Sequence, residues 1–142
     1  MARVLGIDPG GKRVGIAVSD PTGTVAQPLS WIAAEPQATL PERLTRLARE
    51  QEAEELVVGL PWRMDGSQGP EARAARQLAS QLRKSSGLPV TLVDERLTSV
   101  AAERALISTG TSRERRKQLS DQVAAALLLQ GHLDSRARRG RN

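Results

Sequence analysis

The chain of 142 residues is predicted to be an α/β protein with a mixed five-stranded sheet and helices on both faces. Two short apolar runs come first and are separated by a glycine-rich turn, which is typical of antiparallel strands. Helical and strand patterns then alternate, as in crossover connections that add parallel strands to a sheet. The length suits one domain, because two full lobes would need a longer chain.

The first three strands are predicted to form an antiparallel meander over residues 4–8, 14–19 and 25–32. The turn at residues 9–13 contains Pro9, Gly10 and Gly11, which favours a tight reversal between the first two strands. Pro28 lies within the third strand and has no N–H to donate, so we expect that strand to be at an edge or to contain a bulge.

Two helix–strand units and then two further helices follow the meander. Leucines at helical spacing and the capping-box pattern at residues 39–42 predict a helix that ends near Gln51. The apolar run 56–60 predicts a strand covered on both faces, and Pro70 suits the first position of the second helix. The other predicted elements are a strand over residues 90–93, a helix from Thr98 or Ser99 to Thr109, and a last helix that begins near Arg113 or at Ser120 and is deeply buried over residues 123–129.

The predicted domain spans residues 1–134. Residues 135–142 are rich in arginine and lack apolar content, so they are expected to be a disordered tail. No apolar run approaches the ~20 residues of a membrane span, and the N-terminal residues do not resemble a signal peptide. We therefore expect a cytoplasmic protein without a membrane partner.

The charge of the chain favours a polyanionic partner. Its net charge is +5, and 18 of its 21 basic residues are arginine, whose guanidinium makes forked contacts with phosphate. A general preference of the genome for arginine over lysine would give the same composition. The cluster at Arg113, Arg115 and Arg116 favours nucleic-acid binding over that alternative.

Asp8, Glu95 and Asp121 are carboxylates set in or against apolar runs. A charged carboxylate in such surroundings must be paired, hydrogen-bonded or bound to a cation. The chain has no cysteine and one histidine, so a thiolate or histidine-rich metal site is excluded and oxygen ligands are expected. Oxygen ligands select Mg²⁺ or Mn²⁺. The single histidine, His132, lies near the end of the last helix and is expected at the surface.

The predicted topology can bring two of these acids together. Asp8 ends the first strand and Glu95 ends the last, so parallel strands would place both at the carboxyl edge of the sheet. Carboxylates that hold one or two divalent ions there would support two-metal hydrolysis of a phosphodiester bond.

Each acid also has a simpler interpretation. Asp8 could start a turn, and Asp121 could be favoured by the dipole at a helix N-terminus. Adjacent residues of a strand point to opposite faces, so only one of Asp94 and Glu95 should reach the site, and Glu95 is chosen. Two further acids belong to ordinary turn dipeptides and are left out of the predicted site: Asp20 and Asp65.

Contact with nucleic acid is expected to involve phosphates and shape rather than bases. The chain has no Phe or Tyr, and its two tryptophans, Trp31 and Trp62, could equally be core or loop anchors. Stacking platforms for single-stranded bases usually need several exposed rings. The predicted phosphate-binding residues are Lys12, Arg13, Arg96, Arg113, Arg115 and Arg116.

Four motifs in order, at residues 8–20, 59–70, 94–99 and 120–130, resemble those of the bacterial YqgF family, also called RuvX. The resemblance implies a ribonuclease-H-like fold and a nuclease that matures the 5′ end of pre-16S ribosomal RNA. The family was earlier described as a Holliday-junction resolvase because of its similarity to RuvC. The resemblance places the catalytic and metal-binding acids at Asp8, Glu95 and Asp121.

The sequence thus predicts a metal-dependent endonuclease for structured RNA, a ribosomal precursor, acting as a monomer or homodimer. One alternative is a resolvase of branched DNA. Another is a non-catalytic RNA-binding factor for ribosome assembly or transcription. A third takes the Asp-Pro-Gly-Gly segment as the phosphate motif of actin-like ATPases, but the chain has room for only one of their two lobes.

Overall fold

The computed structural model describes residues 3–61, 65–94 and 113–140, and within the last range the side chains of residues 122–138. Its strands are β1 (Arg3–Pro9), β2 (Arg13–Ser19), β3 (Ala26–Ala33), β4 (Ala53–Leu60) and β5 (Val90–Asp94), and its helices are α1 (Leu40–Glu50), α2 (Pro70–Ser86) and α3 (Arg113–Gly140). The helix predicted up to Thr109 lies outside the described residues.

The strands form one five-stranded sheet in the order β3-β2-β1-β4-β5. Strand β2 pairs antiparallel with β1 and β3, whereas β4 pairs parallel with β1 and β5. The predicted meander and the two added parallel strands are therefore confirmed. The consequence for function is that β1, β4 and β5 all end at one edge, here called the carboxyl edge.

Strand β3 lies at the edge of the sheet and contains a bulge. Ala17 pairs with Pro28 but Ile16 pairs with Ser30, so the extra residue is Leu29. Both expectations for the proline strand are confirmed, because an edge strand with a bulge tolerates a residue without an N–H.

The starts of the two crossover helices differ in their agreement with the sequence. Pro70 occupies the first turn of α2 after Gly69, as predicted. The capping box predicted for α1 does not form: the Thr39 hydroxyl donates to the Pro36 carbonyl at 3.2 Å instead of capping the helix. A short 3₁₀ helix, Gln37–Thr39, leads into α1 and turns that hydroxyl away from the first helical N–H groups.

Two apolar clusters cover the faces of the sheet. The first lies between the sheet and helices α1 and α2, and its strand residues include Leu5, Ile7, Leu56 and Val58. The second lies between the sheet and α3, and its buried strand residues include Val4, Ala17 and Val57. Because alternate residues of β4 contribute to both clusters, the prediction of a strand buried on both faces is confirmed.

Helix α3 differs from the sequence prediction in two ways. It continues through Gly140, past the boundary at residue 134, and Arg136 in this extension bonds to Glu55 at 2.6 Å. The run 123–129 is not buried on every side, because Leu127 is 43% exposed. Helix α3 packs one side on the sheet, so its outer residues face solvent.

Candidate functional site

Asp8 lies near the end of β1, at the carboxyl edge, and is half-buried. Residues Val4 and Gly6 precede it on the same face of the strand, because side chains alternate with a period of two. Val4 belongs to the cluster under α3, whereas Leu5 and Ile7 belong to the cluster on the other face. The face of β1 that carries Asp8 is therefore the face covered by α3.

The turn after Asp8 requires a glycine. A Cβ placed on Gly10 would lie 2.4 Å from the backbone oxygen of Arg13, which no side chain could tolerate. The turn exposes Lys12, and Arg13 at the start of β2 is half-buried. Two cations thus follow within five residues of Asp8, beside the carboxyl edge.

Helix α3 packs tightly on β1 at Gly6. A Cβ placed there would lie 3.0 Å from the Leu129 Cβ and 3.3 Å from the Ala125 carbonyl oxygen. Such distances are shorter than ordinary carbon contacts of about 3.5–4.0 Å. The absence of a side chain at Gly6 allows the helix to pack directly on the strand two residues before Asp8.

The contacts of Glu55 set the direction of α3. Glu55 pairs with Val4 of β1, and its carboxylate bonds to His132 Nε2 at 3.1 Å and to Arg136 at 2.6 Å. Residues near 132–136 therefore lie level with Val4, whereas Ala125 and Leu129 lie level with Gly6. The helix runs antiparallel to β1, with its N-terminal half toward the carboxyl edge.

His132 was expected at the surface and is instead buried, with 8% of its side chain exposed. The expectation was wrong because the helix continues past it and Glu55 on β4 faces it. These two residues are 77 positions apart in the chain, so no local sequence pattern could indicate that they pair.

Of the three predicted acidic residues, only Asp8 has its side chain described in the structure. The backbone of Asp121 lies in α3 one turn before Ala125, and Glu95 directly follows the last residue of β5. Within the described part of the chain, no three His, Cys, Asp or Glu side chains are grouped so that they could hold a metal ion. The other predicted site residues either lie outside the described residues, as Glu95 and Arg96 do, or have only their backbone described in α3, as do Arg113, Arg115 and Arg116.

The end of β5 distinguishes the two faces of the sheet. Asp94 pairs with Leu60 at the end of β4, so both strands reach the carboxyl edge together. Val93 packs against the cluster under α3, whereas Val90 and Leu92 pack against the cluster on the opposite face. Asp94, which alternates with Val93, is exposed and belongs to the face away from α3.

A contact between Arg13 and Trp31 was not predicted from the sequence. The Arg13 guanidinium carbon lies 5.1 Å from the centre of the Trp31 ring, within the range of a cation–π interaction. Trp31 pairs with Gly15, and Gly15 pairs with Asp8. Directly paired residues share a face, so Asp8 and Trp31 lie at the same level on the α3 face. Only the strand register could have revealed this neighbourhood.

Asp20, which was left out of the predicted site, has its carboxylate engaged within the β2–β3 turn. Its carboxylate accepts hydrogen bonds from the Thr22 hydroxyl and from the backbone N–H groups of Val25 and Thr24, both at 2.8 Å. These donors, the Thr22 hydroxyl above all, hold the pKa of Asp20 well below its ordinary value of 3.8. Asp20 organises the β2–β3 turn. Asp65 likewise accepts from the Ser67 N–H, at 2.9 Å.

A cleft of about 350 Å³ lies on the other side of the β1–β2 turn, between that turn and helices α1 and α2. Its lining includes Pro9, Gly10, Glu71 and Leu78. It opens on the face of the sheet opposite to Asp8, so it is distinct from the carboxyl-edge site on the α3 face.

The model of one protein family, described as "RuvX: Holliday junction resolvase", matches residues 2–135. A protein of Moorella thermoacetica named "Putative pre-16S rRNA nuclease" is 49% identical over 138 residues, which cover 97% of this chain and 99% of that protein. The chain belongs to the RuvX family. A relative of the same name from Roseiflexus sp. is 44% identical over 133 residues, which cover 94% of each chain. The resemblance seen in the four motifs is thereby confirmed.

Solved structures show that the fold of this RuvX family member is shared with resolvases. Thermus thermophilus RuvC in complex with a Holliday junction matches with a TM-score of 0.62 at 20% identity, covering 97% of both chains. The fowlpox virus resolvase in complex with Holliday junction DNA matches with a TM-score of 0.58 at 12% identity, covering 94% of this chain and 97% of that one. The expected ribonuclease-H-like fold is confirmed. Among the helices described, none has the length and apolar content that crossing a membrane requires.

Proposed function

We propose that this protein is a metal-dependent endonuclease that acts on structured RNA, with Asp8, Glu95 and Asp121 as its catalytic and metal-binding residues. The observation that carries the proposal is the contact of α3 with Gly6, because it brings the helix against the strand that presents Asp8.

The rise of the two elements supports the proximity of Asp8 and Asp121. Moving from Gly6 to Asp8 advances along β1 by about 6.6 Å. Moving from Ala125 back to Asp121 advances along α3 by about 6 Å, in the same direction. Positions four apart share a helix face, so position 121 belongs to the face that Ala125 turns toward β1.

The alternation of β5 supports Glu95 as the third acid. Val93 lies on the α3 side and Asp94 on the other side, so the period of two favours the α3 side for the next residue. Since β1, β4 and β5 are parallel, β5 ends at the same edge as Asp8, one residue before Glu95 in the sequence. The sequence-based preference for Glu95 over Asp94 thus gains a structural reason.

These residues fit a hard divalent ion, Mg²⁺ or Mn²⁺, because they offer carboxylate oxygens at the end of parallel strands. When bound, such an ion lowers the pKa of water and stabilises a leaving oxygen. The chain's own contribution would be to bring these oxygens together, with Asp8 near the end of β1 and position 121 in α3. Lys12 and Arg13, and the proposed phosphate contacts Arg96, Arg113, Arg115 and Arg116, would attract and orient the phosphate backbone of a polyanion.

The ribosomal precursor is proposed as substrate because the relatives at 44–49% identity are named for pre-16S rRNA. Action at its 5′ end rests on the family resemblance alone, and a cytoplasmic location would follow from this substrate. Branched DNA is the second candidate, favoured by the family description and by the fold shared with RuvC. Cleavage assays run in parallel on precursor RNA and four-way junctions separate the two. A stable homodimer would favour junctions, since two symmetric cuts need two sites.

The decisive variant is Asp8→Asn, which keeps the shape of the side chain but removes its charge. We expect cleavage to be lost and the affinity for Mn²⁺, measured by calorimetry, to fall, while folding and RNA binding are retained. Asp134→Asn is the matched control: it lies 13 residues after Asp121 in α3, about 20 Å along the helix. Normal turnover by purified Asp8→Asn protein would refute the proposal. Full complementation in cells by a triple carboxylate variant would instead favour a non-catalytic RNA-binding factor.

A further inference from the structure

We infer that Arg13 and Trp31 form a stacking platform for an unpaired nucleobase next to the linkage that is cut. The inference rests on the proposed function, and it adds a requirement on the substrate: a single-stranded or frayed nucleotide beside the scissile bond. The platform is defined as the Arg13 guanidinium together with the Trp31 indole.

The first step is the position of the platform relative to Asp8. Asp8, Gly15 and Trp31 are successive partners across β1, β2 and β3, so they form one row across the sheet on the α3 face. Neighbouring strands are about 4.8 Å apart, so the backbone of Trp31 lies about 10 Å from the backbone of Asp8. That distance suits a nucleotide adjoining the one that is cut.

The second step is the residue between them. Gly15 has no side chain, so β2 places nothing in the row between the carboxylate and the indole. A larger residue at this register would stand between a phosphate at Asp8 and a base at Trp31. The row therefore consists of an acid, a buried glycine and a ring in sequence across three strands, with no β2 side chain between the carboxylate and the indole.

The third step is the chemistry of the pair. Arg13 and Trp31 are diagonal neighbours on the same face, and the guanidinium lies 5.1 Å from the ring centre. Contact with the ring orients the guanidinium, which lowers the entropy it would lose on binding. Unpaired bases stack on aromatic rings and on guanidinium planes, whatever their sequence. Trp31 is half-buried, so its ring is both anchored in the sheet and open to contact.

The proposal also agrees with the small number of aromatic residues. A chain without Phe or Tyr cannot bind a long single strand by stacking. One platform beside the carboxyl edge would instead take a single base, while the basic residues contact the phosphates of a neighbouring duplex.

The experiment compares two RNA probes in the Asp8→Asn background, where binding is measured without cleavage. One is a blunt hairpin, and the other is the same hairpin with a short single-stranded overhang that carries 2-aminopurine at one position at a time. We expect one overhang position to be quenched on binding, and an abasic site at that position to weaken binding on the order of ten-fold.

Protein variants then assign the effect to the platform. Trp31→Ala should abolish the quenching and weaken binding of the overhang probe by a similar factor, with little change for the blunt hairpin, while Trp31→Phe should retain both properties. Arg13→Ala should weaken binding to both probes, with the larger effect on the overhang. Arg49→Ala is the charge-matched control, because Arg49 is exposed on α1, on the opposite face of the sheet.

Equal losses for blunt and overhang probes in Trp31→Ala would overturn the inference and assign Trp31 to packing alone. If Trp31→Ala does not fold, the abasic series on the unaltered platform and the Trp31→Phe variant decide the question. The two proposals fail separately. Continued cleavage by Asp8→Asn would refute the nuclease site but would not bear on the tighter binding of the overhang probe. Loss of cleavage without tighter binding of the overhang probe would refute only the platform.

Discussion

Replacing Gly6 tests the packing of α3 on β1 and, through it, the geometry of the candidate site. A Cβ at this position would lie 3.0 Å from the Leu129 Cβ and 3.3 Å from the Ala125 carbonyl oxygen. Ordinary carbon contacts are about 3.5–4.0 Å, so the helix must retreat by about 0.5–1 Å. One of the two atoms in contact is backbone, which cannot move aside by changing a rotamer.

The expected cost follows from two opposing effects. Overpacking a core of this kind costs about 1–3 kcal/mol. Replacing glycine within a strand returns about 0.5–1 kcal/mol, because the unfolded chain becomes less flexible. The net loss for Gly6→Ala is therefore about 0–2.5 kcal/mol, which corresponds to a fall in Tm of at most about 10 °C. Gly6→Val adds two methyl groups at the same contact and should lose more, although valine favours strands.

Urea and thermal denaturation measure the stability, and cleavage is measured at a temperature where every variant is folded. We expect the cleavage rate of Gly6→Ala to fall further than its folded fraction, because a displacement of about 1 Å in a catalytic group can cost on the order of 10²-fold. Gly131→Ala in helix α3 is the control. Nothing lies within 4 Å of the added Cβ, so the higher helix propensity of alanine should stabilise the protein by about 1 kcal/mol. A Gly6→Val protein as stable and active as the parent would refute the close contact and the site geometry built on it.

Two further predictions concern charged side chains. The pKa of Asp20 is lowered in the folded protein, so its contribution to stability is present above its ordinary pKa of 3.8 and is lost as the pH falls further. Urea denaturation across that pH range measures the stability difference between the parent and Asp20→Asn. The parent should be the more stable protein at neutral pH, and the difference should shrink in acid. A difference that grows in acid would contradict the role of the Thr22, Thr24 and Val25 donors. Around Glu55, His132→Ala should cost about 1–3 kcal/mol because His132 is buried, whereas Arg136→Ala should cost less than about 1 kcal/mol, because its side chain is 42% exposed and the pair is screened by salt. Equal losses at low and high salt would argue against an ionic contribution from Arg136.

The sequence was sufficient for the features that depend on nearby residues. Period-two and period-3.6 patterns identified the five strands and the crossover helices, and Pro28 located the edge strand with its bulge. The chemistry of the candidate site could be predicted in part for the same reason. Without cysteine and with one histidine, a metal site must consist mainly of oxygen ligands. Asp8 comes shortly before a turn that requires Gly10.

Other features depend on residues that are distant in the chain. The burial of His132 against Glu55 and the approach of Leu129 to Gly6 join positions that are 77 and more than 100 residues apart. The row from Asp8 through Gly15 to Trp31 exists only because two strand registers align. The capping pattern at Thr39 was misleading because the preceding 3₁₀ helix redirects its hydroxyl.

Local patterns specify which elements form and which side chains are available for chemistry, because periodicity, turns and ligand types are encoded within a few residues. The face of the sheet that carries Asp8, the direction in which α3 crosses it and the position of the Trp31 ring depend instead on the folded chain. Contacts between surfaces fix these features, because the missing side chain at Gly6 and the pairing of whole strands set distances that no local pattern contains.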